Sequence, residues 1–310
     1  MGAPDVLAVQ VRSGLVEATH HGAAMALGPR GEVIFSVGDV ERPLFYRSAI
    51  KPFQATIVLE SGVELTDEEV AVAASSHVAE PVHMEIVHSM LARVGLDSSF
   101  LRCPPGPALV ESSRLRLQDA KPDPVHHMCS GKHAAMLMAC VERGWPVETY
   151  LDPDHPGQLA ILDLVEEVTG ERAGPPGIDG CGYPTLRGSV QGMARAFARL
   201  MFDDRFTRVR VAMTRFPALA SGTGRSEVAI AGAIDGVCKT GAAGLLGVGA
   251  PGRFGLAVRS FDGSDMAAAV AAAEICFRLG VVAVPERLDN LRHRPLMGGG
   301  AVAGQWKALP

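Results

Sequence analysis

The sequence is poor in aromatic residues and has no long apolar run. Phe, Trp and Tyr make up 5% of the 310 residues, so the core must consist chiefly of Ala, Val, Leu and Ile. No apolar segment approaches the roughly 18 uninterrupted residues of a membrane span. Residues 1–5 also lack the basic and apolar regions of a signal peptide. These absences predict a cytoplasmic protein that does not bind or cross a membrane.

Positive charge and paired cysteines are scarce as well. The net charge is −5 and the Lys and Arg residues are scattered, which argues against a nucleic-acid partner and leaves small neutral or anionic substrates. The six cysteines lie at irregular intervals without a C-x-x-C pair, so we expect no disulfide framework. With 47% hydrophobic residues, the chain can bury a substantial core in one large domain or two closely joined ones.

Strand-like segments occupy both ends of the chain, and helical periodicity fills the region of about 48–205 between them. The predicted strands cover 6–11, 15–26 and 32–37 and, beyond Gly222, 227–231, 237–239, 245–248 and 254–261. This order predicts a single unit over 1–310 with an α+β fold, in which the terminal strands form one antiparallel sheet beside a central helical block. We expect the tail over 285–310 to be poor in strands, either as an extension or as an arm that contacts a partner.

Ser48 and Lys51 lie three positions apart, which places a hydroxyl and an amine on one face of a helix. A lysine can deprotonate a serine only if burial or a nearby cation lowers the pKa of its amine. Arg47 precedes the serine and the apolar run 53–59 follows the lysine, so both conditions are met. The pair therefore predicts a nucleophile with its own base. A capped helix start followed by a solvated lysine remains the structural alternative.

Two further segments concentrate polar groups. Cys129, Lys132 and His133 crowd the start of an otherwise apolar helix, where they could bind a metal, hold an anion or activate a nucleophile. A capped helix with a buried thiol would explain the same residues. Cys181 lies between glycines after Asp179, and together with Cys129 it would make half of a zinc site if the two cysteines meet in space.

Two other segments allow more than one interpretation. His77 and His83 share one short loop, which predicts a helix cap or, less readily, a metal site. Lys239 begins a K-T-G sequence on a predicted edge strand. Together with S-x-x-K, this K-T-G resembles the motifs of the penicillin-binding and β-lactamase group, although no S-D-N element lies between them.

Seven ordered segments resemble the asparaginase II family, of the thermolabile rhizobial type. They are 47–54, 76–77, 129–133, 155–156, 179–182, 222–225 and 239–241, and the resemblance runs from about residue 5 to 265. It implies a β-lactamase-like fold, a homodimer, and hydrolysis of L-asparagine to L-aspartate and ammonia.

The resemblance also implies roles for individual residues. Ser48 with Lys51 would be the nucleophile pair, and Ser76 a second active-site hydroxyl. The implied ligands of a zinc ion near the substrate are Cys129, Lys132 and Cys181, with a water as the fourth. A lysine ligand must be neutral, so the metal has to displace its proton. The implied substrate-binding residues are Arg47, His133 and Asp179.

Two positions depart from the family pattern. His127-Met128 stands where asparagines usually precede the first zinc cysteine, and Arg259 stands where a second catalytic lysine is expected. An arginine stays charged and cannot act as a base. Either Ser76 then has an electrostatic role or Lys239 substitutes, so we count Lys239 and Arg259 among the substrate-binding candidates. The alternatives are an amidohydrolase acting on glutamine, a β-lactam or a small peptide, and a non-catalytic zinc-dependent amino-acid-binding protein.

Overall fold

Residues 5–106 and 108–309, described by a computed structural model, form one large antiparallel sheet with helices on both faces. The strands are β1 (Val6–Arg12), β2 (Leu15–Leu27), β3 (Val33–Val37), β4 (Leu44–Phe45), β5 (Gly177–Ile178), β6 (Pro184–Thr185), β7 (Arg187–Gly188), β8 (Val237–Thr240), β9 (Leu245–Ala250), β10 (Phe254–Ser260), β11 (Pro295–Gly298) and β12 (Ala301–Ala308). The large sheet has the order β11-β12-β1-β2-β10-β9-β8, with β3 paired to β2. Its last strand, β8, has one neighbour only.

The helices fall into two groups on opposite sides of this sheet. They are α1 (Lys51–Glu60), α2 (Asp67–Ala73), α3 (Pro81–Arg93), α4 (Glu111–Arg116), α5 (Ser130–Arg143), α6 (Pro156–Thr169), α7 (Val190–Phe202), α8 (Thr207–Arg215), α9 (Pro217–Ser221), α10 (Ser226–Ile234), α11 (Asp265–Arg278) and α12 (Glu286–Arg292). Helices α1 to α9 form the block on one face, and α10, α11 and α12 cover the other. No helix in the described ranges combines the length and apolarity that a membrane span requires.

The second half of β2 shows why its sequence is continuously apolar. Successive side chains of a strand point to opposite faces. Ala23 and Met25 therefore pack into the core under the helical block, while Ala24 and Ala26 pack into the core under α11. A central strand that is covered on both faces has no position for a polar side chain.

The predicted α+β architecture is confirmed, because strands from both termini share one antiparallel sheet beside a helical block. Two details were wrong. Residues 227–231 belong to α10 and not to a strand, and helices continue past 205 as far as Ile234. The alternating apolar residues of this segment include alanines, which favour a helix, and α10 packs its side chains against α11, α12 and the face of β8 instead of joining the sheet.

The tail over 285–310 was also predicted wrongly. It contains α12 and a β11-β12 hairpin, and β12 pairs with β1 from Ala8 to Arg12. This pairing satisfies the backbone groups along an edge of β1 that would otherwise be open. Trp306 of β12 then stacks on His20 of β2, with ring centroids 4.9 Å apart.

Replacing Gly255 with alanine should unfold the protein or prevent its soluble expression. Helix α7 packs directly on β10 at this glycine, and an added Cβ would overlap the backbone nitrogen of Ala198. We expect a loss of at least about 3 kcal/mol in the free energy of unfolding, because neither backbone can move aside. Thermal unfolding of the wild type and of Gly255→Ala measures this loss. Gly232→Ala in α10 is the matched control, since its Cβ would meet only the end of the Arg287 side chain, at an ordinary contact distance of 3.9 Å, and should leave stability unchanged or raised.

Candidate active site

The Lys51 side chain lies completely inside the protein, at the first position of α1. Its Nζ donates to the carbonyl oxygen of Ser75, to Ser76 Oγ at 3.0 Å and to Cys129 Sγ at 3.3 Å. Burial lowers the pKa of this amine. The lysine of the S-x-x-K sequence thus joins two segments that are distant in the chain.

Lys239 approaches the same serine from the edge strand β8. Its Nζ donates to Ser76 Oγ at 2.9 Å and to the Thr240 carbonyl oxygen at 2.8 Å, and its side chain is fully buried. Burial, with a smaller contribution from the charge on Lys51, lowers the pKa of Lys239 to about 7. The Ser76 hydroxyl is therefore held between two amines, of which one loses its proton near neutral pH.

Ser48 lies one turn before Lys51, in a short 3-10 helix over Arg47–Ile50. Its side chain is buried except for 9% of its surface, and its Oγ has no hydrogen-bond partner among the described residues. The Lys51 amine points to Ser76 and not to Ser48. The structure therefore brings Lys51 to the second predicted hydroxyl, and the Ser48–Lys51 contact remains a prediction.

Arg47 and Asp179 form an ion pair beside Ser48. Arg47 Nε donates to Asp179 Oδ1 at 2.6 Å, and the carboxylate is largely buried. The backbone of Arg47 has a φ of 49°, which a side-chain-bearing residue rarely adopts, and its N–H donates to Thr185 Oγ1. Such strain persists only where the surroundings hold it, and here it directs the residue before Ser48 towards Asp179.

A tight turn after Asp179 carries Cys181 to Cys129. The turn is closed by a hydrogen bond from the Gly182 N–H to the Asp179 carbonyl oxygen. The two thiols share a hydrogen bond, which lowers the pKa of Cys129 well below its usual value. The same bond, together with burial, raises the pKa of Cys181. The pair therefore holds one proton between two sulfur atoms.

The Lys132 amine completes this cluster. Its Nζ lies 4.0 Å from the centroid of the Tyr183 ring and next to Cys181. Burial lowers the pKa of Lys132, but the negative charge on Cys181 and Cys129 outweighs burial and raises it overall. No group of three His, Cys, Asp or Glu side chains in the described residues could hold a metal ion. A metal at the two thiols would therefore need Lys132 as its third ligand.

His133 is buried beside this cluster with one ring nitrogen free. The Tyr150 hydroxyl accepts from the Arg102 backbone N–H, so it can donate to His133 Nδ1 at 2.7 Å. The proton of the neutral ring then lies on Nε2, a tautomer inferred from these hydrogen bonds. This buried Nε2 has no partner among the described residues, and burial lowers the pKa of the ring. His133 therefore presents an unused N–H donor inside the site.

Arg259 lies on β10 but does not reach Ser76. Its Nη1 donates to the Ala242 carbonyl oxygen at 3.3 Å. Burial and the nearby positive charges of Arg42 and Arg47 lower the pKa of Arg259. Of the two candidates to support Ser76, Lys239 makes the contact and Arg259 does not.

His77 and His83 do not converge on a common point. Their rings stack with centroids 5.0 Å apart, and His77 Nδ1 accepts from the Ala79 backbone N–H. His77 Nε2 lies 2.8 Å from Ser130 Oγ. The metal alternative for these two histidines is therefore wrong, and His77 instead links the Ser76 loop to the start of α5.

The family described as L-asparaginase II matches residues 8–308. This chain belongs to the L-asparaginase II family. It is accordingly a hydrolase of a linear amide, and the predicted family is confirmed. The match includes the C-terminal hairpin, which lies beyond the motifs that carried the resemblance. No curated protein is similar enough to count as a match.

Several solved structures are also similar to this member of the L-asparaginase II family. The structure titled Mglu has 17% sequence identity, a TM-score of 0.46, and a match that covers 90% of this chain and 72% of that one. A Bacillus glutaminase has 12% identity, a TM-score of 0.48, and coverage of 85% and 92%. The probable glutaminase YbaS has 15% identity, a TM-score of 0.48, and coverage of 84% and 86%.

Sequence reasoning missed the tyrosines around this L-asparaginase II site. The chain has three tyrosines, and all three are fully buried: Tyr46, Tyr150 and Tyr183. Tyr46 donates to Glu171 and anchors the segment before Ser48, while the other two pack around His133. Their scarcity in a chain with few aromatic residues was the available signal, since the hydroxyl of a buried tyrosine usually makes a specific hydrogen bond.

Proposed function

We propose that the protein hydrolyses L-asparagine to L-aspartate and ammonia. The observation that carries this proposal is the Ser76 hydroxyl, which is held between the Lys51 and Lys239 amines. Lys51 itself lies one helical turn after Ser48. Buried amines with lowered pKa values are the bases that a serine-dependent amidase needs at neutral pH. Membership of the L-asparaginase II family supports asparagine as the amide.

The substrate would be held by groups that still have free hydrogen-bonding capacity. Asp179 Oδ2 can accept from the α-amino group, because the known contacts of this carboxylate use Oδ1. The guanidinium groups of Arg47 and Arg259 are available to the α-carboxylate, for which a bidentate contact is favoured. The free Nε2–H of His133 can donate to a carbonyl oxygen of the substrate.

In the proposed reaction, Ser48 Oγ attacks the carboxamide carbon and Lys51 accepts the proton. Lys51 must then be neutral, and its Nζ must exchange one present acceptor for Ser48 Oγ, a tightening that often occurs only when the substrate is bound. The amine returns the proton to the leaving nitrogen, backbone N–H groups stabilise the oxyanion, and water hydrolyses the acyl-enzyme. Ser76 can pass a proton between Lys51 and Lys239, because a hydroxyl both donates and accepts.

The proposal includes a zinc ion held by Cys129, Lys132 and Cys181. The donor set fits, since two adjacent thiols and one amine leave a fourth tetrahedral position open. When bound, the metal would polarise or orient a polar group of the substrate. The raised pKa of Lys132 means that binding must release a proton from this amine as well as from the thiols.

Cys181→Ser should weaken zinc binding by at least about a hundredfold, because a hydroxyl is a poor replacement for a thiolate ligand. Metal analysis after dialysis is expected to find one zinc per chain in the wild type and little in the variant. Cys276→Ser is the control, since this free cysteine lies buried under the opposite face of the sheet. Stoichiometric zinc in Cys181→Ser would reject the ligand assignment.

The substrate is tested by ammonia release from L-asparagine and L-glutamine, with nitrocefin turnover in parallel. We expect kcat/KM for asparagine to exceed that for glutamine by at least about tenfold, the discrimination that one methylene usually allows. A preference for glutamine or nitrocefin would instead indicate an amidohydrolase that acts on glutamine or on a β-lactam. Stoichiometric zinc and tight amino-acid binding without any ammonia would support the non-catalytic alternative.

The family resemblance also underlies our proposal that the enzyme is a homodimer. Light scattering should then give about twice the chain mass of 32.5 kDa. We propose the cytoplasm as its compartment, because all six cysteines are free and buried, as expected for a reducing environment. A monomer at micromolar concentration would contradict the proposed homodimer.

A further inference from the structure

A second polar cavity lies on the other side of β8 from Ser76. Adjacent residues of a strand point to opposite faces, so Lys239 faces Ser76 while Thr240 faces α10 and α12. Thr240 lines a cavity of about 390 Å³ between the loop before α10, the first turn of α11, and α12. None of the residues assigned to catalysis or zinc binding lines it.

The lining of this cavity is rich in arginine. Arg225, Arg287 and Arg294 contribute three positive charges, against one negative charge from Asp265. The Asp265 carboxylate is already engaged by the Gly244 backbone N–H at 2.7 Å. Arg225 is neutralised by the buried Glu227. Arg287 and Arg294 therefore leave an excess of one positive charge over Asp265, in a protein whose net charge is −5.

All three of these guanidinium groups have unused donors. Arg225 Nη2 pairs with the buried Glu227 at 2.6 Å, but its Nε is buried without a partner. In the described part of the chain, the Arg294 side chain has no hydrogen bond or ion pair, and Arg287 makes one hydrogen bond, to the Gly232 carbonyl oxygen. A buried donor without a partner is costly, so the Arg225 Nε–H is expected to bind a ligand or ordered water. The exposed Arg287 and Arg294 leave further N–H donors open to the same ligand.

We propose that this cavity binds a small anion that carries a phosphate or carboxylate group. Planar guanidinium groups with free N–H pairs match the oxygens of both groups, and bidentate pairs are the strong ones. The neutral polar side chains that complete the lining are Asn290 and two residues whose hydroxyls also bond Glu227, Ser226 and Thr240. The volume of about 390 Å³ admits a single small molecule and not a polymer.

The site is separate from the amide-hydrolysing centre, and its test does not use the ammonia assay. Thermal unfolding is followed with increasing inorganic phosphate or succinate, against sodium chloride at equal ionic strength. We expect a saturable rise in melting temperature with at least one anion, and the more effective anion identifies which group the site prefers. Isothermal titration with that anion then gives its dissociation constant.

Arg294→Ser and Arg287→Ser should each weaken this binding by about tenfold or more, the effect of losing one charge-assisted contact. Both residues are exposed, so the variants should fold. Arg253→Ser, in the turn at the opposite end of β9, removes the same charge and should leave the dissociation constant unchanged. No saturable response with either anion, or equal binding by Arg294→Ser, Arg287→Ser and the wild type, would overturn the proposal.

Discussion

Ser48→Ala is expected to lower ammonia release from asparagine by at least about a thousandfold, the usual cost of removing a covalent nucleophile. The hydroxyl lies one turn before the buried Lys51, and no other described group engages it. Ser61→Ala is the matched control on the same segment of chain, because the Ser61 hydroxyl at the end of α1 donates only to the Val58 carbonyl oxygen. Its activity should stay close to that of the wild type.

A diazoketone analogue of asparagine distinguishes the two candidate nucleophiles. Such a reagent alkylates the attacking oxygen, so peptide mass spectrometry locates the label. We expect it on Ser48, with Ser76→Ala still labelled but slowed, because the proton path between Lys51 and Lys239 is interrupted. A label on Ser76, or full turnover by Ser48→Ala, would transfer the role of nucleophile to Ser76.

The pH dependence of the reaction should report Lys239. Burial lowers its pKa to about 7, so the amine becomes neutral, and able to accept a proton, above that pH. We expect kcat/KM to rise between about pH 6 and pH 8 with a midpoint near 7. Lys239→Arg stays charged and should lose about 100- to 10,000-fold in rate and also the rising limb. Lys121→Arg, at an exposed position, is the control and should keep both the wild-type rate and the rising limb of the pH profile.

The lowered pKa of Lys239 also makes the stability of the folded protein depend on pH. Between about pH 7 and 10.5 the unfolded chain holds a proton on Lys239 that the folded chain lacks, so stability rises with pH across this window. As the pH falls towards 7, the wild type should lose melting temperature relative to Lys239→Met, in which this titration is absent. An unchanged difference between the two proteins from pH 6 to 9 would contradict the assignment.

Much of the fold could be predicted because its signals are local. Alternation and turn residues place β1, β2 and β3, and the apolar periodicity of α1, α5 and α6 marks the helical block. The C-terminal hairpin was missed because β11 is short and both strands of the hairpin are partly exposed. The hairpin is stabilised by the pairing of β12 with β1, a contact almost 300 residues distant in sequence.

The site was predictable as a set of residues but not as a set of contacts. The three-residue spacing correctly places Ser48 and Lys51 one turn apart, yet the partners of the Lys51 amine come from Ser76 and Cys129 on other segments. Spacing within one helix carries no information about such partners. The K-T-G sequence did point to Lys239, and tertiary packing decided between it and Arg259.

The pairing of β2 with β10 has a consequence for synthesis. The partner strand begins at residue 254, so about 230 residues must be translated after β2 leaves the ribosome before the two can pair. At roughly 5–20 residues per second, β2 waits about 10–45 s with this edge unpaired, and its face under α11 stays uncovered longer, because α11 begins only at Asp265. Newborn chains should therefore depend on chaperones, and proteolysis of nascent chains stalled before residue 250 should cut within 15–27.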